Sequence, residues 1–139
     1  MFPITARGVT GRSSTPSWRR SRPYRIVCSF AGDVFAIVER LENDPDIEIA
    51  DKKDYLSYPK PSGYRSVHLC VTLRQTGMHA EIQIRTIAMD FWATLEHQLK
   101  YKKSVSNESL IKSELRRCAD EIASVDLSMQ TIREILKEI

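Results

Sequence analysis

From Ser66 onward apolar and polar residues alternate strictly. Val67, Leu69, Val71 and Leu73 interleave with Ser66, His68, Cys70, Thr72 and Arg74, and after a short break Ala80, Ile82 and Ile84 interleave with His79, Glu81, Gln83 and Arg85. A period of two marks strands with one buried face, so the two runs predict a β-hairpin. With Thr76 and Gly77 as central turn residues, the glycine supplying positive φ, Leu73 faces Ala80, Val71 faces Ile82 and Leu69 faces Ile84. The apolar faces then coincide, and Glu81, Gln83, Arg85 and His68 share the opposite one.

The rest of the chain supplies a frame for that hairpin. Tyr24 to Phe30 is an apolar, β-branched run that reads as a central strand. Asp33 can cap a helix to about Glu42, with Val34, Ile37, Val38 and Leu41 on one face, and Ile47 to Lys52 reads as a second strand. Thr86 is an N-cap for a helix to about Tyr101, whose Phe91, Trp92, Leu95 and Leu99 make the buried stripe. A last helix runs from near Asn107 to Ile139. In it Leu115, Cys118, Ile122, Val125, Met129, Ile132, Leu136 and Ile139 recur at alternating spacings of 3 and 4, an apolar seam at the heptad period. The order predicts an α+β domain, a mixed sheet flanked by helices with a long C-terminal helix. That helix would span about 50 Å, longer than the small sheet beside it. Either its seam packs wholly on its own sheet or part of it meets another chain.

Composition narrows the class. A chain of 139 residues, 42% hydrophobic and 28% charged, is one globular domain. Cys28, Cys70 and Cys118 stand over forty residues apart without paired spacing, so they read as buried free thiols and not as a metal site or disulfide framework. No run approaches the length that spans a bilayer and no secretory signal is visible, which makes the cytoplasm the expected location. The net charge of +3 is local. Residues 1–25 hold six arginines and no acid, whereas the remainder has fifteen basic against eighteen acidic residues. Whole-chain binding of nucleic acid is not expected, and only the basic arm could carry it. Residues 1–22 are rich in Gly, Ser, Pro and Arg without periodicity, as expected of a disordered arm.

The polar hairpin face has two readings. One is the solvated side of an antiparallel sheet, where Glu, Gln and Arg are surface residues. The other is a binding site, and the preceding loop favours it. Tyr58-Pro59-Lys60-Pro61-Ser62-Gly63-Tyr64 stiffens the backbone with two prolines and releases it at a glycine. Lys60 and Tyr64 are thereby offered beside the polar face, a phosphate-seeking cation and a ring suited to stacking on a base. That is the profile of a nucleotide pocket.

The segments KDYLSYPKPSGYRSVHL, residues 53–69, and EIQIRTIAMDFWATLEHQLKYK, residues 81–102, resemble the synthetase domain of the RelA/SpoT family, above all the single-domain small alarmone synthetases. The likeness covers roughly residues 24–139, with a synthetase core over 23–105 and the C-terminal helix over 106–139. It implies a nucleotidyltransferase-like mixed sheet and transfer of pyrophosphate from ATP to the ribose 3′-hydroxyl of GDP or GTP, giving guanosine tetra- and pentaphosphate. It also implies Mg²⁺ as cofactor and a homo-oligomer, tetramer or dimer, built through the terminal helix.

By the same resemblance Glu81 is the catalytic carboxylate, holding Mg²⁺ and helping to deprotonate the 3′-hydroxyl. Tyr64 would stack on guanine and Asp90 would read its edge, since a carboxylate accepts from N1–H and the exocyclic amine together. Lys60 and His68 would contact acceptor phosphates, Arg25 and Lys53 the transferred or donor phosphates, and Gln83 and Arg85 would line the pocket floor. Glu96 would support the metal, or simply pair with Lys100 one turn on. One departure stands out. The family's Asp-x-x-Gly-x-Arg, whose aspartate is the other magnesium ligand, reads here Arg20-Ser21-Arg22-Pro23-Tyr24-Arg25. A guanidinium cannot bind Mg²⁺. The chain is thus expected to keep the acceptor half of a synthetase and to lack groups of the donor half, which leaves catalysis and nucleotide binding without turnover both open.

Overall fold

The computed structural model describes residues 23–100 and 107–137; the basic arm, Tyr101 and Ile139 lie outside them. The elements in chain order are β1 (Pro23–Cys28), α1 (Ala31–Glu42), β2 (Ile47–Asp54), β3 (Val67–Leu73), β4 (His79–Thr86), α2 (Ile87–Lys100) and α3 (Glu108–Lys137). They form a four-stranded mixed sheet in the order β1-β4-β3-β2, β1 parallel to β4 and the other pairs antiparallel. Among the described residues β1 is therefore an edge strand, not the central one its composition predicts. Its residues alternate between exposed and covered, and β4, formed by the hairpin, takes the inner place.

One sheet face carries the core. Leu69, Ile82, Ile84, Val67 and Val71 are fully buried against Val34, Val38 and Leu41 of α1. The predicted face of α1 is the one that packs, with Ile37 at its margin. Its start differs: Phe30 occupies the N-cap without a side-chain bond, and Asp33 sits in the first turn, where it pairs with Arg133 at 2.6 Å.

The hairpin faces are as predicted, but its register is shifted by two residues. Val71 lies opposite Ala80, Leu69 opposite Ile82 and Val67 opposite Ile84. The connection is the four-residue Arg74–Gly77, closed by Leu73 N–H to Met78 O at 2.8 Å and Gly77 N–H to Leu73 O at 2.7 Å, with Gly77 at φ +71. A shift by two preserves every inside/outside assignment, which a shift by one would have reversed.

On β2 the register breaks between Ile49 and Asp51. Ile47 and Ile49 lie on the core face opposite Leu73 and Val71, whereas past Ala50 it is Asp51 and Lys53 that oppose Cys70 and His68. An inserted residue reverses the alternation of a strand. Plain period-two counting would put Lys53 on the core side with Ile47 and Ile49; the bulge turns it to the polar face.

Two helix faces depart from expectation. On α2 the buried residues are Met89, Trp92 and Ala93, while Phe91 (59% exposed), Leu95 and Leu99 face outward. The indole N–H of Trp92 donates to Leu115 O at 2.8 Å, and small Ala93 and Ala119 let α2 and α3 approach closely. On α3 the seam is buried only in part. Leu115, Cys118 and Ile122 pack on the Trp92 cluster, but Val125, Met129, Ile132 and Leu136 are exposed. Its inward face instead carries Ala119, Asp126, Gln130 and Arg133, which meet the loop before β3, the start of α2 and the start of α1 in turn.

Candidate active site

The polar sheet face gathers side chains from all four strands in one rung. Arg25 on β1 lies beside Gln83 on β4, Gln83 beside His68 on β3, and His68 beside Lys53 on β2. Glu81 and Arg85 flank Gln83 on the same face of β4. These groups are bonded to one another. Glu81 Oε1 accepts from Gln83 Nε2 at 3.3 Å, and Gln83 Oε1 accepts from Arg85 at 2.5 Å.

Arg85 is the hub. Although only 7% exposed, it also donates to the Tyr64 hydroxyl at 2.8 Å and to Asp90 Oδ1 at 3.2 Å, an oxygen that Arg25 reaches at 3.1 Å. Among the described residues its Nε is the one buried side-chain polar atom without a hydrogen-bond partner.

The loop residues complete the wall. Asp54 accepts from the backbone N–H groups of Leu56 and Ser57 and from the Ser57 hydroxyl, fixing the loop where it leaves β2. Burial pulls the Asp54 carboxyl up, but those hydrogen bonds together with Lys52 hold it below the usual carboxylate range. Gly63, at φ +99, takes a conformation other residues resist. Lys60 Nζ stands 4.8 Å from the Tyr55 ring centroid and 5.2 Å from that of Tyr64. Tyr55 meets both Tyr64 and His68 edge-on, and Trp92 lies beside Tyr64.

His68 shows the electrostatic character of the site. Its burial and then the charges of Arg85, Lys60 and Lys53 depress its pKa to about 4, so the ring is neutral at pH 7. The 3.8 Å approach of its Nδ1 to Glu81 Oε1 is therefore not an ion pair. Nε2 lies in hydrogen-bond contact with the Tyr64 hydroxyl at 2.8 Å, and the same hydroxyl oxygen accepts from Arg85. Tyr64 is thus held at its tip from two sides, and burial, against the pull of Arg85, raises its own pKa. Arg25, Lys53, Lys60 and Arg85 outnumber Glu81 and Asp90, an excess of positive charge suited to a polyphosphate.

The structure brings eight of the expected residues together: Glu81, Gln83, Arg85, His68, Tyr64, Lys60, Asp90 and Arg25. Lys53 joins them by strand register. Glu96 lies further along α2, about 9 Å up the helix axis from Asp90. Among the described residues no three His, Cys, Asp or Glu side chains form a group able to hold a metal. Glu81 is the one carboxylate on the β4 strand face and Asp90 is engaged by Arg25 and Arg85, so these residues do not by themselves form an all-protein magnesium site. Sequence reasoning missed Tyr55 and the Asp54 cap; the Asp54-x-x-Ser57 spacing is a local capping signal that could have revealed the latter.

A polar rung over a mixed sheet, walled by a stiff aromatic loop and rich in cations, forms a face suited by its charge to an anionic ligand. Residues 22–106 match the model of the region found in RelA/SpoT proteins, and this chain belongs to that family. It is 42% identical over 116 residues to the GTP pyrophosphokinase YwaC and 38% identical over 120 to YjbM, both of Bacillus subtilis (strain 168), covering 79% and 82% of this chain but only 55% and 57% of theirs. Among solved structures, small alarmone synthetase 2 of B. subtilis superposes with a TM-score of 0.75 at 40% identity, over 84% of this chain and 65% of that one. Small alarmone synthetase 1 bound to its product pppGpp gives 0.71 at 40% identity, over 79% and 60%. The chain thus spans little more than half the length of the curated relatives it matches. Among the described residues no helix is long and apolar enough to cross a membrane.

Proposed function

We propose that this chain provides the acceptor-binding part of an alarmone synthetase. It holds GDP or GTP over the polar sheet face for transfer of pyrophosphate from ATP to the 3′-hydroxyl. The observation that carries this reading is the Arg25–Gln83–His68–Lys53 rung, with Tyr64 pinned beside it by Arg85 and His68. In it the Tyr64 face stacks on guanine and Asp90 accepts from the guanine edge in exchange for its bonds to Arg25 and Arg85. Lys60 and Lys53 meet phosphates, His68 keeps Nδ1–H for Glu81 or a phosphate oxygen, and Glu81 accepts the proton of the attacking hydroxyl. Because the described residues do not assemble a magnesium site, no step is assigned to the metal.

A second reading is that the chain binds guanine nucleotide or alarmone without turnover. Arg20 in place of the family's second aspartate favours it. Incubation of the purified chain with ATP, Mg²⁺ and GDP, followed by nucleotide chromatography and a GDP titration, separates the two. We expect GDP to bind with little or no guanosine tetraphosphate formed by the chain alone; robust synthesis would establish turnover. Tyr64→Ala should weaken GDP binding by about 1–3 kcal/mol, the worth of a base–aromatic stack. An unchanged affinity would mean that the pocket is misassigned.

A further inference from the structure

The loop bearing Lys60 and Tyr64 touches the sheet through the Tyr64 ring and hydroxyl, whereas its tip, residues 60–63, rests on a helix. Gly63 N–H to Lys60 O at 2.8 Å and Lys60 N–H to Tyr64 O at 3.1 Å close its tip into a turn, and Asp54 fixes its base. Between those ends the tip is seated on α3. Arg116 donates to Pro61 O at 2.7 Å, the carbonyl next to Lys60. Arg65 donates both to Gly63 O at 3.3 Å and to Ala119 O at 3.1 Å, joining loop and helix backbone. Gly63 packs so closely on the helix that a Cβ there would lie 2.6 Å from the Ala119 Cβ and 3.1 Å from Arg116 Cδ. A side chain at position 63 would therefore lift the turn off α3.

We propose that α3 is the positioning element of the nucleotide loop: Arg116, through Pro61, and Ala119, as the seat of Gly63, fix where Lys60 and Tyr64 stand over the sheet. Both residues belong to α3 and meet the loop at Pro61 and Gly63, not on the polar sheet face. The inference rests on the reading of that loop as the guanine nucleotide's wall. Its physical content is pre-organisation, because a loop ordered by the helix binds without first being immobilised, whereas a freed loop must be ordered at the moment of binding. The same helix also holds the start of α2, through Thr86 Oγ1 to Asp126 Oδ2 at 2.6 Å, four residues before Asp90. One helix thus references both elements expected to touch guanine.

The test compares Arg116→Ala, Arg116→Lys and Tyr64→Ala with the unaltered chain by GDP titration and amide hydrogen exchange. Arg116 is partly exposed, so Arg116→Ala should fold. It should lower GDP affinity about tenfold, the order expected for losing one charge-assisted hydrogen bond. It should also speed exchange of the Gly63 amide while leaving the amides of β3 and β4 unchanged. Arg116→Lys, which can still donate to Pro61 O, should recover most of the affinity. Unaltered GDP affinity and Gly63 exchange in Arg116→Ala, with binding lost in Tyr64→Ala, would overturn the role of α3 and leave the pocket standing. Equal acceleration of loop and sheet exchange would reduce Arg116 to general stability and overturn it too. Absence of GDP binding by the unaltered chain would remove the pocket itself, and this inference with it.

Discussion

The two faces of the sheet are built from alternate residues of the same strands, yet they are held in place by different means. On the α1 face Val67, Leu69, Val71, Ile82 and Ile84 are defined by one another, and each fills space against a helix directly beneath. On the opposite face Glu81, Gln83 and Arg85 are chained to one another along β4. That chain is tied through Arg85, like His68, to groups that arrive from elsewhere: Tyr64 of the loop and, for Arg85, Asp90 of α2, which Arg25 of the edge strand shares. Apolar packing needs only neighbours of the right size, whereas a polar site needs each donor and acceptor matched. The first face should carry stability and the second function.

The sharpest way to break this division is to alter adjacent residues of β4. Ile82→Ala, at a fully buried position, should cost about 2–5 kcal/mol by urea denaturation. Glu81→Gln, one residue away on the partly open face, should cost less than about 1 kcal/mol and spare the fold. Comparable losses for both would mean that the polar network is as much a part of the core as the apolar face.

The contrast also governs what could be read from sequence. The α1 face was legible because period two repeats over two strands and survives a two-residue error in register; only the length of the Arg74–Gly77 connection was hidden. The convergence of polar residues was legible as well: of those singled out in the two motifs, all but Glu96 stand on or beside one face. What could not be read were choices made by distant partners. The stretch Ile47-Glu48-Ile49-Ala50-Asp51-Lys52-Lys53-Asp54 turns polar just where the bulge falls, so no alternation is left to betray the reversal that aims Lys53 at the site. In α2 apolar residues lie on both sides, and periodicity could not tell Phe91 and Leu95 from Met89 and Ala93. Tyr64 and α3 decide that from outside the helix.

An intermediate effect is expected on acidification. His68 has its pKa lowered from 6.5 to about 4 in the folded protein by burial and by Arg85, Lys60 and Lys53. Between those values the unfolded chain binds a proton that the folded one refuses, so stability falls as pH falls through this window and is fully present above it. From this group alone the loss between pH 7 and pH 5 should be about 2 kcal/mol. Denaturant titrations at the two pH values should show it, and His68→Gln should flatten the dependence. A slope the same in both proteins would mean that the ring titrates normally and that the cations do not converge on it.

The smallest effect tests the division within two neighbouring lysines. Past the bulge Lys52 and Lys53 point to opposite sides: Lys52 reaches Glu42 of α1 at 3.4 Å, an exposed pair of little energetic weight, while Lys53 lies beside His68. Removing either should leave the melting temperature nearly unchanged. Their electrostatic footprints should differ, because Lys53 is among the charges that depress His68 whereas Lys52 is among those that hold Asp54 low. Followed by NMR, Lys53→Ala should move the His68 pKa upward and leave Asp54 in place, and Lys52→Ala should do the reverse. GDP affinity should fall only in Lys53→Ala. If the two variants exchanged these signatures, the strand would run without its bulge, Lys53 would belong to the α1 side, and the rung across the four strands would end at His68.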